Sequence, residues 1–358
     1  MTRHVADAGR SGHNGGQDIV RIGLIGTGAI ANLHARAYKN IGFTIRACTD
    51  ISAEAGRRFA VATGAEFMSS CEDVCRHPEV DVVDVCTFPN FRLQAVELCA
   101  KYGKHLQVQK PIATTIGIAR EMVDVAAGAG IVLGVVSQHR FDESSRFLAA
   151  AIQGGRLGRL LQCDAYVKWH RTDEYYSRPV KGSWETEGGG ALINQAIHQV
   201  DVLRWLAGPV REVSAMWQIA AAHRIESEDV VNAILRYASG ATGVIQASTA
   251  IWPGYPERME FHGTKGTAIV TGDRLTTWDV RDEEGEPAPV SSSVASGASD
   301  PMAISLDPFE RQFQDLADAI RTGRRPLVSG REGCEALEIV DAIYRACKST
   351  SGVVLRNS

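Results

Sequence analysis

The chain counts 358 residues, 44% of them hydrophobic and 22% charged, and at about 150 residues per domain it divides into two or three domains with sizeable cores. That balance excludes a disordered or fibrous chain, and its 35 glycines follow no fixed period, so collagen and solenoid architectures fall away. A formal charge of −4, from 38 Lys and Arg against 42 Asp and Glu with no long run of one sign, argues against nucleic acid or an anionic membrane as partner.

The first 18 residues are polar and glycine-rich with no apolar h-region, and read as a flexible arm, 1–18, not a signal peptide. From residue 19 short apolar runs alternate with helical periodicity. Strands are expected over Val20–Ile25, Thr44–Thr49, Val80–Thr87, Lys104–Val108 and Ile131–Val136, and helices over Ile30–Lys39, Ala53–Ala62, Arg92–Tyr102 and Ile116–Ala127. Strands apolar on both faces, in strict succession with helices, predict a doubly wound parallel sheet over 19–140.

Beyond residue 140 the rhythm changes. A helix over Glu143–Gln153 leads to a strand, Leu160–Trp169, then to a helix over Leu192–Leu206. Alternating segments follow at Glu212–Ile219, Val230–Tyr237, Ala241–Ser248, Arg258–His262 and Thr267–Val270, with Gly263–Gly266 as a hairpin turn. Strands without intervening helices imply an antiparallel sheet covered on one face. Glu283–Ser299, rich in Ser, Pro and acid, reads as a surface loop. Two closing helices carry start signals: Asp307 as cap with Pro308 and Glu310, and Ser329 with Glu332. The predicted organisation is therefore an α/β protein with a cofactor domain at 19–140 and a second α/β domain at 141–358.

Eight cysteines without a C-x-x-C pair point to reduced thiols in a cytoplasmic protein, with no metal. No run of 18 apolar residues is present to cross a bilayer.

The chemistry concentrates in three places. Gly26-x-Gly28-x-x-Ala31 directly follows a strand and opens a helix: Gly26 allows the tight turn, Gly28 lets backbone approach a diphosphate, and Ala31 keeps helix and strand close. Gly26, Thr27, Gly28, Ala29 and Ile30 would then face the diphosphate at the helix N-terminus. Asp50 ends the second strand, 24 residues after Gly26. A carboxylate there accepts from ribose hydroxyls and repels a 2′-phosphate, which favours NAD over NADP; a plain glycine turn with a surface aspartate is the alternative.

The second place is Lys110, before Pro111 at the carboxyl end of the strand Lys104–Val108. It directs an ammonium at the ligand crevice or is a solvated loop lysine. The third is GGGALINQAIHQVD, 188–201. Its glycines bring backbone close to a ligand, and Asn194 and His198, four apart, share a helix face with Asp201 a turn beyond. Amide and imidazole there suit a substrate hydroxyl; a buried, hydrogen-bonded core histidine is the alternative.

Taken together, Gly26–Ala31, Lys110–Pro111 and the 188–201 segment resemble the Gfo/Idh/MocA oxidoreductases, over nearly the whole chain from Ile19. The resemblance implies a Rossmann domain, then an α/β domain whose open, mostly antiparallel sheet mediates homodimers or homotetramers. It implies NAD(P) as cofactor and a sugar, cyclitol or similar polyol as substrate. Lys110 and His198 match the family's catalytic lysine and histidine, and Asn194 stands where many members have aspartate. Pro89, Asn90 and Gln109 fall on the cofactor side. Trp169, Arg171, Tyr175 and Tyr176 lie in a segment similar to one lining the substrate pocket, with Trp169 as a sugar-stacking face. Gln109 replaces the commoner glutamate before Lys-Pro, and Leu93 stands where members often carry histidine.

The expected activity is hydride transfer between a secondary hydroxyl or ketone and nicotinamide. His198 is the base at its ordinary pKa near 6.5, Lys110 polarises the oxygen and Asn194 orients the substrate; lysine and histidine can exchange roles. Two other classes fit the same residues: a glycoside hydrolase or lyase that recycles tightly bound NAD, and a non-catalytic NAD-sensing regulator.

Overall fold

The computed structural model describes residues 20–178, 180–220, 224–282, 288–290 and 305–349. The predicted arm 1–18 and nearly all of the predicted loop Glu283–Ser299 lie outside the described residues.

The first layer is a parallel sheet built from β1 (Arg21–Ile25), β2 (Thr44–Thr49), β3 (Glu66–Phe67), β4 (Val82–Val85), β5 (His105–Val108) and β6 (Leu133–Val135), in the order β3-β2-β1-β4-β5-β6. Helices α1 (Ala29–Asn40), α2 (Ala53–Thr63), α3 (Cys71–Arg76), α4 (Arg92–Tyr102) and α5 (Ile116–Gly128) connect the strands. All four β4 residues are buried, as a strand covered on both faces requires. Ser52 and Thr115 cap α2 and α5 by accepting from the amides of Ala55 and Ile118, each cap contributing about 1 kcal/mol. The short pair β3 and α3 escapes sequence reading because two strand residues and six helical ones carry no usable periodicity.

Register places the crevice. Ile25 pairs with Val85, Val85 with Val108, and Val108 with Val135, so the carboxyl ends of β1, β4, β5 and β6 finish in line. Whatever follows these strands therefore lines one edge of the sheet.

The second layer is a seven-stranded sheet in the order β13-β12-β11-β7-β10-β9-β8. It comprises α6 (Glu143–Gln153), β7 (Leu160–Lys168), α7 (Asp173–Tyr176), α8 (Trp184–Glu187), α9 (Ile197–Ala207), β8 (Val210–Gln218), β9 (Val230–Tyr237), β10 (Thr242–Ser248), β11 (Arg258–Gly263), β12 (Gly266–Thr271) and β13 (Arg274–Val280). All its pairings are antiparallel except β10 with β7. The Gly263–Gly266 hairpin joins β11 to β12 as expected. On β9 every second residue, Val231, Ala233, Leu235 and Tyr237, is buried, so one face packs and the other is open.

Two helices close the chain, α10 (Asp307–Thr322) and α11 (Gly330–Lys348). Ser329 caps α11 as expected, accepting from the Glu332 amide. Asp307 does not cap α10: it is already helical, Leu306 holds the cap position, and the Asp307 amide donates to Ser305 Oγ. Glu310 instead accepts from Asn40 Nδ2 on α1 at 2.7 Å. The division drawn at residue 140 does not describe α10, whose Phe309, Phe313 and Leu316 share a core with Ile22, Leu24 and Tyr38 of the first layer. Burying each such phenylalanine contributes about 1.5–3 kcal/mol, which is why the amphipathic helix crosses back.

Candidate active site

The glycine loop leaves β1 beside β4. Gly26 has φ +89°, and a Cβ there would lie 3.1–3.2 Å from Thr87 and the Cys86 carbonyl carbon, so only glycine fits comfortably. Gly28 is different: nothing lies within 4 Å of where its Cβ would be, and it opens α1 without a side-chain cap. The first-turn amides of Ala29 and Ile30 have no partner inside the helix. Asp50 follows β2, where its Oδ2 accepts from the Thr27 amide (2.7 Å) and Oγ1 (2.9 Å), and its Oδ1 from the Ser52 amide (2.9 Å). Across the crevice Pro89 begins a 3₁₀ turn, Pro89–Phe91, and Thr87 Oγ1 and Asn90 Oδ1 are buried with no hydrogen-bond partner. An open helix N-terminus, a carboxylate on its loop and two orphaned acceptors suit a dinucleotide.

Gln109 departs from its expected place on the cofactor. Its Nε2 lies 2.9 Å from His34 Nε2, and its Oε1 accepts from the Lys110 amide. His34 in turn is held through Nδ1 by buried Asp84, at 2.7 Å. An amide can donate to a neutral imidazole nitrogen and a carboxylate cannot, so the substitution suits this inward role.

Lys110 stands at the aligned strand edge. Its Nζ donates to the main-chain oxygen of Asn194 at 2.8 Å, joining the first layer to the helix that carries His198. Burial pushes its pKa down to about 7, helped by the charges of Lys181, Arg92 and Arg171 and opposed by Glu187.

The segment 188–207 is not a plain α-helix. Leu192–Ala196 form a π-helical turn before α9, and the Asn194 carbonyl that accepts from Lys110 lies within it. Packing against protein requires the three glycines: a Cβ would lie 2.6 Å from Thr114 O at Gly188, 2.3 Å from Tyr344 Oη at Gly189 and 1.8 Å from Glu228 O at Gly190. Glu228 accepts from the amides of Gly190 and Leu192 and from Tyr344 Oη, which anchors the start of the turn. Asn194, Gln195 and His198 are the half-buried positions there, so they share the crevice face. The Asn194 side chain, expected to orient substrate, donates instead to Gly189 O at 3.0 Å. Asp201 leaves the stripe altogether, taking a two-pronged ion pair from buried Arg140 that pins α9 to the segment after β6.

His198 Nδ1 is buried and without a partner. Burial holds its pKa well below 6.5, reinforced by Lys110 and His139, so the imidazole is neutral. The expectation that it titrates near 6.5 is corrected. His139 stands edge-on to it, ring centroids 4.9 Å apart, with Nδ1 2.7 Å from Asp142 Oδ2. Burial lowers the His139 pKa, but Asp142 outweighs it and the net shift is upward.

The second layer closes the crevice. Trp169 is buried, its Nε1 donates to Glu257 at 3.2 Å, and the Arg171 guanidinium lies 4.9 Å from its ring centre. That occupies a face expected to stack on a sugar. Arg171 also donates to Gln195 Oε1 (2.9 Å), and Gln195 donates to Tyr175 Oη (3.0 Å), so Arg171 and Tyr175 are bound to the helix that carries His198. Tyr176 Oη pairs with Thr249 Oγ1 at 2.8 Å. Lys181, paired with Glu187, stands 5.1 Å from the Tyr175 ring centre and 5.9 Å from that of Phe88.

Sequence reading missed Arg92, His139 and Lys181. His139 follows the strand run Ile131–Val136, so the rule that ligands gather beyond the carboxyl ends of strands could have found it. Lys181 and Arg92 carry no such signal. Among the described residues two clusters, His34–Asp84–Cys86 and Asp164–Glu260–His262, bring metal-ligand atoms together, and neither includes Lys110 or His198.

Comparisons with known proteins match both layers of the fold. Residues 20–137 match a family model described as an oxidoreductase family with an NAD-binding Rossmann fold, and 145–269 match a GFO/IDH/MocA C-terminal domain. The chain is 28% identical to a myo-inositol 2-dehydrogenase of Thermotoga maritima, over 94% of this chain and 98% of that protein. It is 28% identical to a 1,5-anhydro-D-fructose reductase of Ensifer adhaerens, over 91% and 96%. The structure of the WlbA dehydrogenase from Bordetella pertussis, in complex with NADH and UDP-GlcNAcA, superposes with a TM-score of 0.81 at 30% identity, covering 92% of this chain and 97% of that one.

Proposed function

The chain belongs to the Gfo/Idh/MocA family of oxidoreductases, and from there we propose that it is an NAD-dependent dehydrogenase or reductase acting on a secondary hydroxyl or ketone of a sugar, sugar derivative or cyclitol. The observation that carries this reading is the Lys110–Asn194 bond: it sets an amine of pKa about 7 at the meeting of a dinucleotide cradle and the helix bearing His198. The named relatives, an inositol dehydrogenase and an anhydrofructose reductase, act on substrates of this class.

Gly26, Thr27, Gly28, Ala29 and Ile30 hold the diphosphate of NAD, Asp50 accepts from the adenosine ribose, and Pro89 and Asn90 flank the nicotinamide half. Bound NAD supplies the hydride acceptor for the carbinol carbon. The free amine of Lys110 takes the hydroxyl proton, and the pKa near 7 matches this role as a histidine's ordinarily would. Neutral His198 holds the substrate oxygen by a hydrogen bond without competing for the proton. Arg171 and Tyr175 support the substrate wall, and Lys181 faces the remaining hydroxyls or an anionic substituent.

The protein acts in the cytoplasm as a homodimer or homotetramer. In support, its eight cysteines are unpaired, and the open face of the second sheet exposes Met216 and Ile234. Among the described residues no helix is long and apolar enough to cross a membrane.

The test is a spectrophotometric screen of NADH formation over inositols, aldoses, anhydrosugars and nucleotide-sugar acids, with Lys110→Met beside the wild type. Turnover of one of these classes, lost about 10²-fold or more in the variant, is expected. A variant as active as the wild type removes Lys110 from the mechanism.

A further inference from the structure

We infer that Arg92 is a positioning residue of this reaction: its buried guanidinium fixes the main chain on both sides of Lys110, and with it the place of the amine. The inference rests on Lys110 as the proton-handling group.

Arg92 opens α4 and is 3% exposed. Its Nη1 donates to the carbonyls of both Gln109 and Pro111, the two residues flanking Lys110. Its Nε and Nη2 donate to Thr87 O at 3.1 and 2.6 Å. One side chain thus ties the end of β4 to the loop after β5, next to the orphaned Thr87 and Asn90 acceptors. Only a planar fork of several donors can reach three carbonyls held in different segments; an ammonium is a point charge with a shorter reach. Buried carbonyls need a donor, so without Arg92 the loop must rearrange to find another.

The guanidinium has a second effect. Among the described residues it forms no ion pair, so its charge acts on Lys110 beside it. Lys110 also faces Lys181 and Arg171, which oppose its charge as Arg92 does, Glu187, which favours it, and the imidazoles of His198 and His139. Both variants lose the fork; Arg92→Met also removes the charge, and in Arg92→Lys burial drives the amine toward its neutral form as it does at Lys110.

The experiment measures competitive labelling of Lys110 with acetic anhydride against pH, read by mass spectrometry on the full chain. It adds thermal midpoints and turnover of NAD with myo-inositol or the fastest substrate of the screen. Wild type should label with a midpoint near pH 7. Arg92→Met and Arg92→Lys should both move the midpoint upward, and both should lose about 10- to 100-fold in kcat, the scale of a misplacement of about 1 Å. A purely structural role lowers the thermal midpoint without moving the labelling curve. Wild-type kcat and an unmoved midpoint in Arg92→Met, with Lys110→Met inactive, overturn the inference alone; full activity in Lys110→Met overturns the reading beneath it. Should Arg92→Met not fold, Arg92→Lys decides, and kcat within about threefold of wild type counts against the inference.

Discussion

The Nζ of Lys110 donates to the main-chain oxygen of Asn194, 2.8 Å away and 84 residues along the chain. The acceptor lies inside the π-turn Leu192–Ala196, whose wider ladder departs from the α-helical pattern of α9. The side chain of residue 194 is therefore not what holds the lysine.

Replacing Asn194 tests that separation. Asn194→Ala loses only the bond to Gly189 O, so kcat should fall less than about tenfold, the order of one neutral hydrogen bond. Asn194→Asp sets a carboxylate beside a buried ammonium, which favours the charged form and raises the Lys110 pKa. The acid limb of kcat/KM for oxidation should then move to higher pH. An unmoved limb would show that the side chain of residue 194 does not face Lys110.

The wild-type pH profile assigns the base. Oxidation needs the free amine, so kcat/KM should fall tenfold per pH unit below about 7 and level off above it; ketone reduction needs the ammonium and should fall above about 7. Burial, with Lys110 and His139, holds the His198 pKa well below 6.5, so it supplies no limb near 7. His198→Asn should lower the plateau by about 10²-fold and leave the limb in place. Disappearance of the limb in that variant would make the histidine the titrating group.

Asp50 is held ready by Thr27 and Ser52, and a charge-assisted hydrogen bond to ribose contributes about 1.5–3 kcal/mol. Asp50→Ser should raise KM for NAD by about 10- to 100-fold and narrow the preference over NADP. Titration of both cofactors by protein fluorescence checks it, and unchanged selectivity would remove Asp50 from the ribose.

The first sheet and the cofactor loop were legible because each relies on local pattern: apolar runs of strand length, a glycine that must turn and a carboxylate at a strand end. Lys110 and His198 were legible as residues but not as chemistry. Which of them titrates near neutrality depends on burial and on Lys181, Arg92 and His139, all distant in sequence. Asn194 and Gln109 misled for a related reason, since a short polar side chain looks alike whether it faces a ligand or, as here, Gly189 and His34. The packing that requires the glycine triplet, against Thr114, Tyr344 and Glu228, comes from segments far along the chain and left no local sign. Trp169 read as a sugar face, and Arg171 lies against it. Arg92 was silent because a single arginine beginning a helix is ordinary until its carbonyl partners are known.

Lys110 should also cost the fold stability. An unfolded lysine holds its proton to about pH 10.4, whereas in the fold it gives it up near 7. Between those values the unfolded chain binds more protons, so stability rises with pH across that window, and the full penalty stands below pH 7. Lys110→Met removes the charge and keeps an unbranched apolar chain in the same space. It should therefore melt higher than wild type at pH 7, by roughly 2–4 °C for each kcal/mol recovered, with the difference shrinking by pH 9.5. Thermal unfolding of the NAD-free protein at the two pH values measures this. A variant that melts lower at both would mean that the bond to Asn194 stabilises the fold by more than the buried charge destabilises it.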